Sequence, residues 1–328
     1  MTTSFCGLPF ADPDRVPAGT VAAVVGVGHS LGSPHKGAEH GPFFLRTVSK
    51  EYTWAAESAR IYDLRHGVGL FDRVVDVGDL DLAPDLTPGP AEPTLTEVLD
   101  AVRALVAALP PRVAPCVIGG DHTVTLPIVT ALAERREAPF TVVQFDHHLD
   151  LQIWDGAPAR PREREPIFHT NVMSHVSDVI GPGRLLQVGV SPFATVEEDS
   201  AHALPQFLRS IGRQVCVSAP EIDDAPAFRE IVGQGEDIYV SVDVDVLDAA
   251  DMSSTGYPAT VGLSTRRLLR LIDLALTDNR LIGFDVVEFA AGREDRSPRT
   301  LADAQRAALV FVHLLGWVSR QGNAPART

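Results

Sequence analysis

FTVVQFDHHLD, residues 140–150, sets an apolar, β-branched run directly against a cluster of acids and histidines. A run of this length reads as a buried strand, and the sudden change to Asp146, His147, His148 and Asp150 reads as its carboxyl end. Working outward, the same kind of run recurs in VAAVVGVG (21–28), APCVIGG (114–120), RLLQVGV (184–190), DIYVSVDVD (237–245) and LIGFDVVEF (281–289). Between several of them lie amphipathic stretches such as LTEVLDAVRALVAAL (95–109) and STRRLLRLIDLALTD (264–278), with Leu and Val recurring at threes and fours. Buried runs alternating with such helices predict an α/β fold: a three-layer sandwich in which a mainly parallel central sheet is flanked by helices.

The chain has 328 residues, enough for one large core. No internal repeat or interdomain linker breaks it, so residues 1–328 read as a single domain. ADPDRVPAG (11–19) and LAPDLTPGPAEP (82–93) read as loops, as does DGAPARPREREP (155–166), which follows the Asp/His-rich strand end where α/β proteins place their sites. A formal net charge of -15 repels phosphate backbones and anionic membranes, which argues against nucleic-acid and membrane partners. The N-terminus lacks a basic region followed by a long apolar run, and the protein is read as cytoplasmic. Cys6, Cys116 and Cys216 form no metal-binding cluster and are expected to be buried thiols.

Three strand ends carry the chemistry: GGDHT (119–123), FDHHLD (145–150) and SVDVDVLD (241–248). If the extended conformation persists, Asp146, His148 and Asp150 project to one side with His147 opposite, and Asp243 and Asp245 pair in the same way. A lone Asp-X-Asp at a strand end is more often a turn or a helix cap. Three such ends in one chain read differently, because their carboxylates repel one another and lose hydration unless a divalent cation joins them. With Asp121 and His122 added, the set mixes imidazole with carboxylate and contains no thiolate, which suits Mn²⁺ better than a structural zinc. More carboxylates than one ion needs argue for a two-metal cluster with bridging Asp residues.

GGDHTVTLP, DHHLD and SVDVDVLD resemble the signature motifs GGDHS, DAHxD and SxDxDxxDP of the ureohydrolase superfamily of arginases, agmatinases and formiminoglutamases. KGAEHGPFFLR (36–46), STGYP (254–258) and GFDVVEF (283–289) extend the resemblance across the chain from Gly26 to Phe289. It implies two Mn²⁺ per subunit, one held by His122, Asp146, Asp150 and Asp243, the other by Asp146, His148, Asp243 and Asp245. It also implies that Glu288 grips the substrate's guanidinium, that Asp150 carries a proton to the leaving amine, and that His169 assists, with His175 as a rival. Assembly as a homo-oligomer, a trimer or a hexamer, follows from the same resemblance. His147 stands where the family has Ala and reads as a packing or outer residue.

Departures bear on the substrate. Gln152 replaces an Asn that helps arginases hold the amino-acid end, and the third motif runs into LDAADMSSTG, so free arginine is not the leading substrate. Trp154 offers an apolar wall for a methylene chain. Arg160, Arg162 and Arg164 offer a fork for a distal carboxylate, or are simply solvated on their loop. The expected reaction is hydrolysis of a guanidino compound (agmatine, a guanidino acid or a guanidino-bearing intermediate) to an amine and urea. The alternatives are release of formamide from formiminoglutamate, and an inactive metal-binding regulator. A zinc deacetylase is disfavoured because six ligands exceed what one zinc uses.

Overall fold

The computed structural model describes residues 3–52, 61–66, 68–80, 93–151, 166–194 and 204–323. Its strands are β1 (Ala22–Gly26), β2 (Tyr62–Asp63), β3 (Val68–Gly69), β4 (Val74–Asp79), β5 (Ala114–Ile118), β6 (Thr141–Phe145), β7 (Leu185–Val190), β8 (Gly212–Cys216), β9 (Asp237–Asp243) and β10 (Arg280–Val287). All six apolar runs read from the sequence are strands. Eight strands form one sheet in the order β4-β1-β5-β10-β9-β6-β7-β8, parallel at every pairing, and β2 and β3 form a small antiparallel pair.

Side chains alternate across this sheet. Ala114, Cys116 and Ile118 of β5, with Ile238, Val240 and Val242 of β9, face one apolar cluster, while Val117 and Tyr239 face the other. The first cluster is completed by α1 (Gly41–Ser49, Phe44 and Leu45) and, later in the chain, by the helices Thr265–Leu276 and Pro298–Asn323. The second is completed by α2 (Leu95–Ala108), α3 (Thr125–Glu134) and α4 (Val172–Ile180). Helices on both faces give three layers.

Local signals set the helix starts. Thr94 accepts from the Glu97 N–H while Glu97 reaches back to the Thr94 N–H, a reciprocal cap on α2, and Ser264 accepts from the Arg267 N–H ahead of the helix Thr265–Leu276. The C-terminal helix is long and apolar enough over Pro298–Gln321 to cross a membrane by length and composition, but 67% of its 18-residue apolar window is buried inside the fold. Cys6 and Cys116 are buried free thiols, and Cys216 is only half-buried.

Arg46, at the end of the KGAEHGPFFLR stretch, ties α1 to the edge strand β4. Its buried guanidinium donates to both oxygens of fully buried Asp76 and, at 2.7 Å, to Asp79. Arg46→Ala would leave Asp76 charged and unpaired, so a stability loss of about 3–5 kcal/mol is expected by urea denaturation, with Arg46→Lys recovering only part because Lys lacks the planar fork.

Candidate metal centre

Strand order assembles the site. β5, β10, β9 and β6 are neighbours and parallel, so their carboxyl ends open on the same edge of the sheet. From them emerge His122, Glu288, the 243–245 segment and the 146–150 segment. β1, beyond β5, sends out its loop close to them. Gly120 permits that approach, since a Cβ there would lie 2.0 Å from the His29 carbonyl oxygen.

The expectation that continuing strands aim these side chains needs correction. β6 ends at Phe145, Asp150 adopts a left-handed backbone (φ 50°), and residues 244–246 form a 3-10 turn immediately after Asp243. Turns do the aiming instead. Asp146 Oδ1 accepts from the His148 N–H at 2.6 Å, Asp243 Oδ1 from the Asp245 N–H at 2.8 Å, and Asp121 Oδ1 from the Thr123 N–H at 3.1 Å. Each strand end thus closes the same side-chain-capped turn. Asp121 spends its other oxygen on the Gly32 N–H at 2.7 Å, which makes it a clamp for the β1 loop.

The six expected groups converge. His122 Nδ1 lies 2.9 Å from Asp150 Oδ2, 3.2 Å from Asp146 Oδ2 and 3.4 Å from Asp243 Oδ2. His148 Nδ1 lies 3.0 Å from Asp245 Oδ2 and 3.7 Å from Asp146 Oδ1. Two trios, His122–Asp146–Asp243 and Asp146–His148–Asp245, each have ligand atoms within 4.8 Å of one another, and Asp146 belongs to both.

The donor set fits a divalent cation. Ser241 Oγ donates to Asp285 Oδ1 at 2.7 Å and therefore accepts from His122 Nε2 at 2.9 Å. That chain puts one imidazole proton on Nε2 and turns Nδ1 toward three carboxylate oxygens, which overcome burial and raise the His122 pKa; a cation at buried Nδ1 would take the place of a second proton. Electrostatics say the same. Burial, then the charges of Asp245 and Asp146, push Asp243 well above the carboxylate range; burial and Asp146 push Asp245 up to about 7 and raise Asp150. Burial opposes charging His148, yet Asp245 and Asp146 hold it up at about 10. Four carboxylates that cannot all ionise beside one another match the charge of two divalent cations.

Around this cluster, Glu288 also holds left-handed backbone (φ 64°), and its Oε1 accepts from the His122 N–H at 2.8 Å. Such backbone costs about 1–3 kcal/mol at a non-glycine residue. His169 Nδ1 lies 3.5 Å from the same Oε1, while His175, the other candidate, is buried in the first turn of α4. Burial works against charging His169, but Glu288 prevails and raises it. His147 donates its N–H to Asp245 at 3.4 Å and sets its ring edge-on to His148. The 155–166 loop apart from Pro166, and with it Gln152, Trp154, Arg160, Arg162 and Arg164, lies outside the described residues.

The chain matches the arginase family over residues 20–313. It belongs to that family. It is an enzyme, a hydrolase of non-peptide C–N bonds in linear amidines. Proclavaminate amidinohydrolase of Streptomyces clavuligerus is 32% identical over 295 residues, covering 84% of this chain and 82% of the relative. The solved structure of that enzyme superposes with a TM-score of 0.71 at 28% identity, covering 96% of this chain and 98% of its own. Guanidinopropionase of Pseudomonas aeruginosa is 32% identical over 291 residues, with 87% and 83% covered. A Trypanosoma cruzi formiminoglutamase solved with Mn²⁺ shares the arginase-family fold at a TM-score of 0.69 and 19% identity, covering 92% of this chain and 94% of its own.

Sequence reading overlooked several residues that shape the centre. Asp285 gathers Ser241, Tyr239 at 2.6 Å and Thr125 at 2.9 Å, all buried. A ladder of amides runs from Gln214 through Gln187 to Gln144, which donates to Asp146 Oδ2 at 2.6 Å. A polar residue inside an otherwise apolar strand was the available signal for Asp285, Ser241, Gln144 and Gln187. Ser241→Ala would leave the His122 Nε2–H without its acceptor, so a stability loss of about 1–3 kcal/mol in denaturant melts and metal affinity weaker by about 10–100-fold in metal titrations are expected.

Proposed function

We propose that this protein is a two-manganese amidinohydrolase that cleaves a guanidino compound to an amine and urea. The observation that carries the reading is Asp146, common to two ligand trios, beside a His122 nitrogen that is buried among carboxylates without a hydrogen bond. His122, Asp146, Asp150 and Asp243 would hold one ion, and Asp146, His148, Asp243 and Asp245 the other. When bound, the pair supplies Lewis acidity that lowers the pKa of water toward neutrality.

The chain's own residues do the rest. Glu288 directs Oε1 to the His122 N–H and to His169, so Oε2 is the oxygen offered to a planar guanidinium, whose orientation a charge-assisted contact fixes. Water adds to the guanidinium carbon, and the C–N bond to the alkyl chain breaks once the departing nitrogen gains a proton. Asp150, beside His122, and His169, beside Glu288, are the groups assigned to carry that proton. The relatives named for proclavaminate and guanidinopropionate favour a substrate with an acidic tail, and agmatine is the cationic alternative. Trimeric or hexameric assembly is what the family implies for this chain.

The test is product analysis of the Mn²⁺-loaded protein across a guanidine panel. Urea from at least one compound, abolished by chelation and restored by Mn²⁺, is the expected result. Formamide from formiminoglutamate in its place, or full turnover by metal-free protein, would overturn the proposal.

A further inference from the structure

STGYP follows the altered stretch that ends the third motif, and its Tyr257 is held firmly at the mouth of the centre. Buried Asp303 accepts from the N–H and hydroxyl groups of Ser253 and Ser254, all at 2.9–3.0 Å. Ser254 in turn accepts, through its carbonyl, the Ala290 N–H at 2.9 Å, two residues beyond Glu288. The loop bearing Tyr257 is therefore braced against the same strand end that presents Glu288.

Tyr257 is 40% exposed and meets three imidazoles. Its ring stacks on His169 (centroids 5.7 Å, 27°) and lies edge-on to His148 at 5.8 Å and to His35 at 4.6 Å. A side chain that borders both the second metal trio and the histidine beside Glu288, and is also open to solvent, lines the way out for whatever is attached to the guanidinium. His35, exposed, stands on the far side of the ring, pressed to the backbone at Gly256, where a Cβ would come within 3.3 Å of its own Cβ. Lys36 follows it, its Nζ donating to the Ser30 carbonyl at 2.6 Å.

We infer that Tyr257, with His35 behind it, is the specificity-determining contact for the substrate's tail, selecting a guanidino compound that ends in a carboxylate over one that ends in an ammonium. The inference rests on guanidino hydrolysis at this centre and adds the recognition of the tail. The ring packs against methylenes, as aromatic faces do. The phenol O–H and imidazole N–H groups can donate to a carboxylate, and Lys36 adds positive charge nearby, so the surround favours an anionic tail over an ammonium.

The experiment compares 4-guanidinobutyrate with agmatine, two probes that carry the same reacting group and opposite tail charge, using the Mn²⁺-loaded full chain. Urea release and calorimetric dissociation constants are measured together, with manganese content as a check on each variant. The wild type is expected to favour 4-guanidinobutyrate by about tenfold or more in kcat/KM. Tyr257→Ala is expected to raise KM for 4-guanidinobutyrate about fivefold or more while changing kcat less than about twofold, and His35→Glu to move the preference about tenfold toward agmatine. Preference for agmatine by the wild type would overturn the inference. So would a Tyr257→Ala defect confined to kcat and equal for both probes, because that pattern belongs to a residue that only positions His169. If neither probe releases urea, guanidino hydrolysis of these compounds fails as a reading, and the tail subsite stands only if 4-guanidinobutyrate still binds tighter than agmatine and loses that advantage in Tyr257→Ala. Absence of binding by both probes overturns it as well.

Discussion

Asp146→Asn is expected to lower bound manganese from two ions per chain to less than one and to cut urea release by about a thousandfold or more. Losing a partner outside the ligand shell costs about 10–100-fold in affinity or activity, and Asp146 is more than such a partner, since both trios draw on it. The Asn keeps the volume and the Oδ1 that closes the turn with the His148 N–H. It changes the other end, where an amide N–H₂ would replace Oδ2 and meet the Gln144 amide donor to donor. That mismatch destabilises the apoprotein. Loss of a negative charge beside Asp150, Asp243 and Asp245, each pushed up by Asp146, stabilises it. Because these effects oppose, a melting temperature is a poor readout and elemental analysis of the purified variant is the decisive one. Two manganese ions retained with normal turnover would remove Asp146 from the centre of the mechanism.

What the sequence made legible followed burial. β5, β6, β9 and β10 are covered on both faces and carry apolar runs that can be read without context. The strands that went unread in the sheet, β4 (VVDVGD) and β8 (GRQVC), are its two edges, where partial exposure admits Asp79, Arg213 and Gln214, and where buried Asp76 breaks the apolar run because Arg46 pairs with it. The candidate ligands could be picked out because each group of them lies within a few positions of a strand end. Their aim could not, since Asp146 and Asp243 turn the chain with one oxygen, and no alternation rule anticipates that. The Asp285–Ser241–His122 chain and the Gln214–Gln187–Gln144 ladder cross between strands far apart in sequence, so only the sheet register brings them together. Tyr257 lay in view within STGYP, but its neighbours His35, His148 and His169 come from three other segments.

Glu288→Gln separates metal binding from substrate binding. The Gln oxygen still accepts the His122 N–H, and the left-handed backbone at this position is unaltered, so two manganese ions and a native fold are expected. What disappears is the negative charge that faces the guanidinium. Removing one partner of a buried charge-assisted contact costs about 2–5 kcal/mol, which corresponds to a fall of roughly 30- to 5,000-fold in kcat/KM. Glu288→Asp, which restores the charge on a shorter stem, should recover part of it. An independent readout comes from His169, which Glu288 raises above the ordinary histidine value against the opposing effect of burial. In the variant the burial effect is left without that counterweight, so the His169 titration followed by NMR should move to lower pH. The sign for stability follows: the His169–Glu288 pair contributes in full below the unfolded histidine pKa, and its contribution is lost as pH rises through the elevated folded value. Glu288→Gln should lack this acid-side contribution. A variant with full metal content, unchanged kcat/KM and an unmoved His169 would show that the substrate cation is held elsewhere, and the reading of Tyr257 as the contact next along the chain would fall with it.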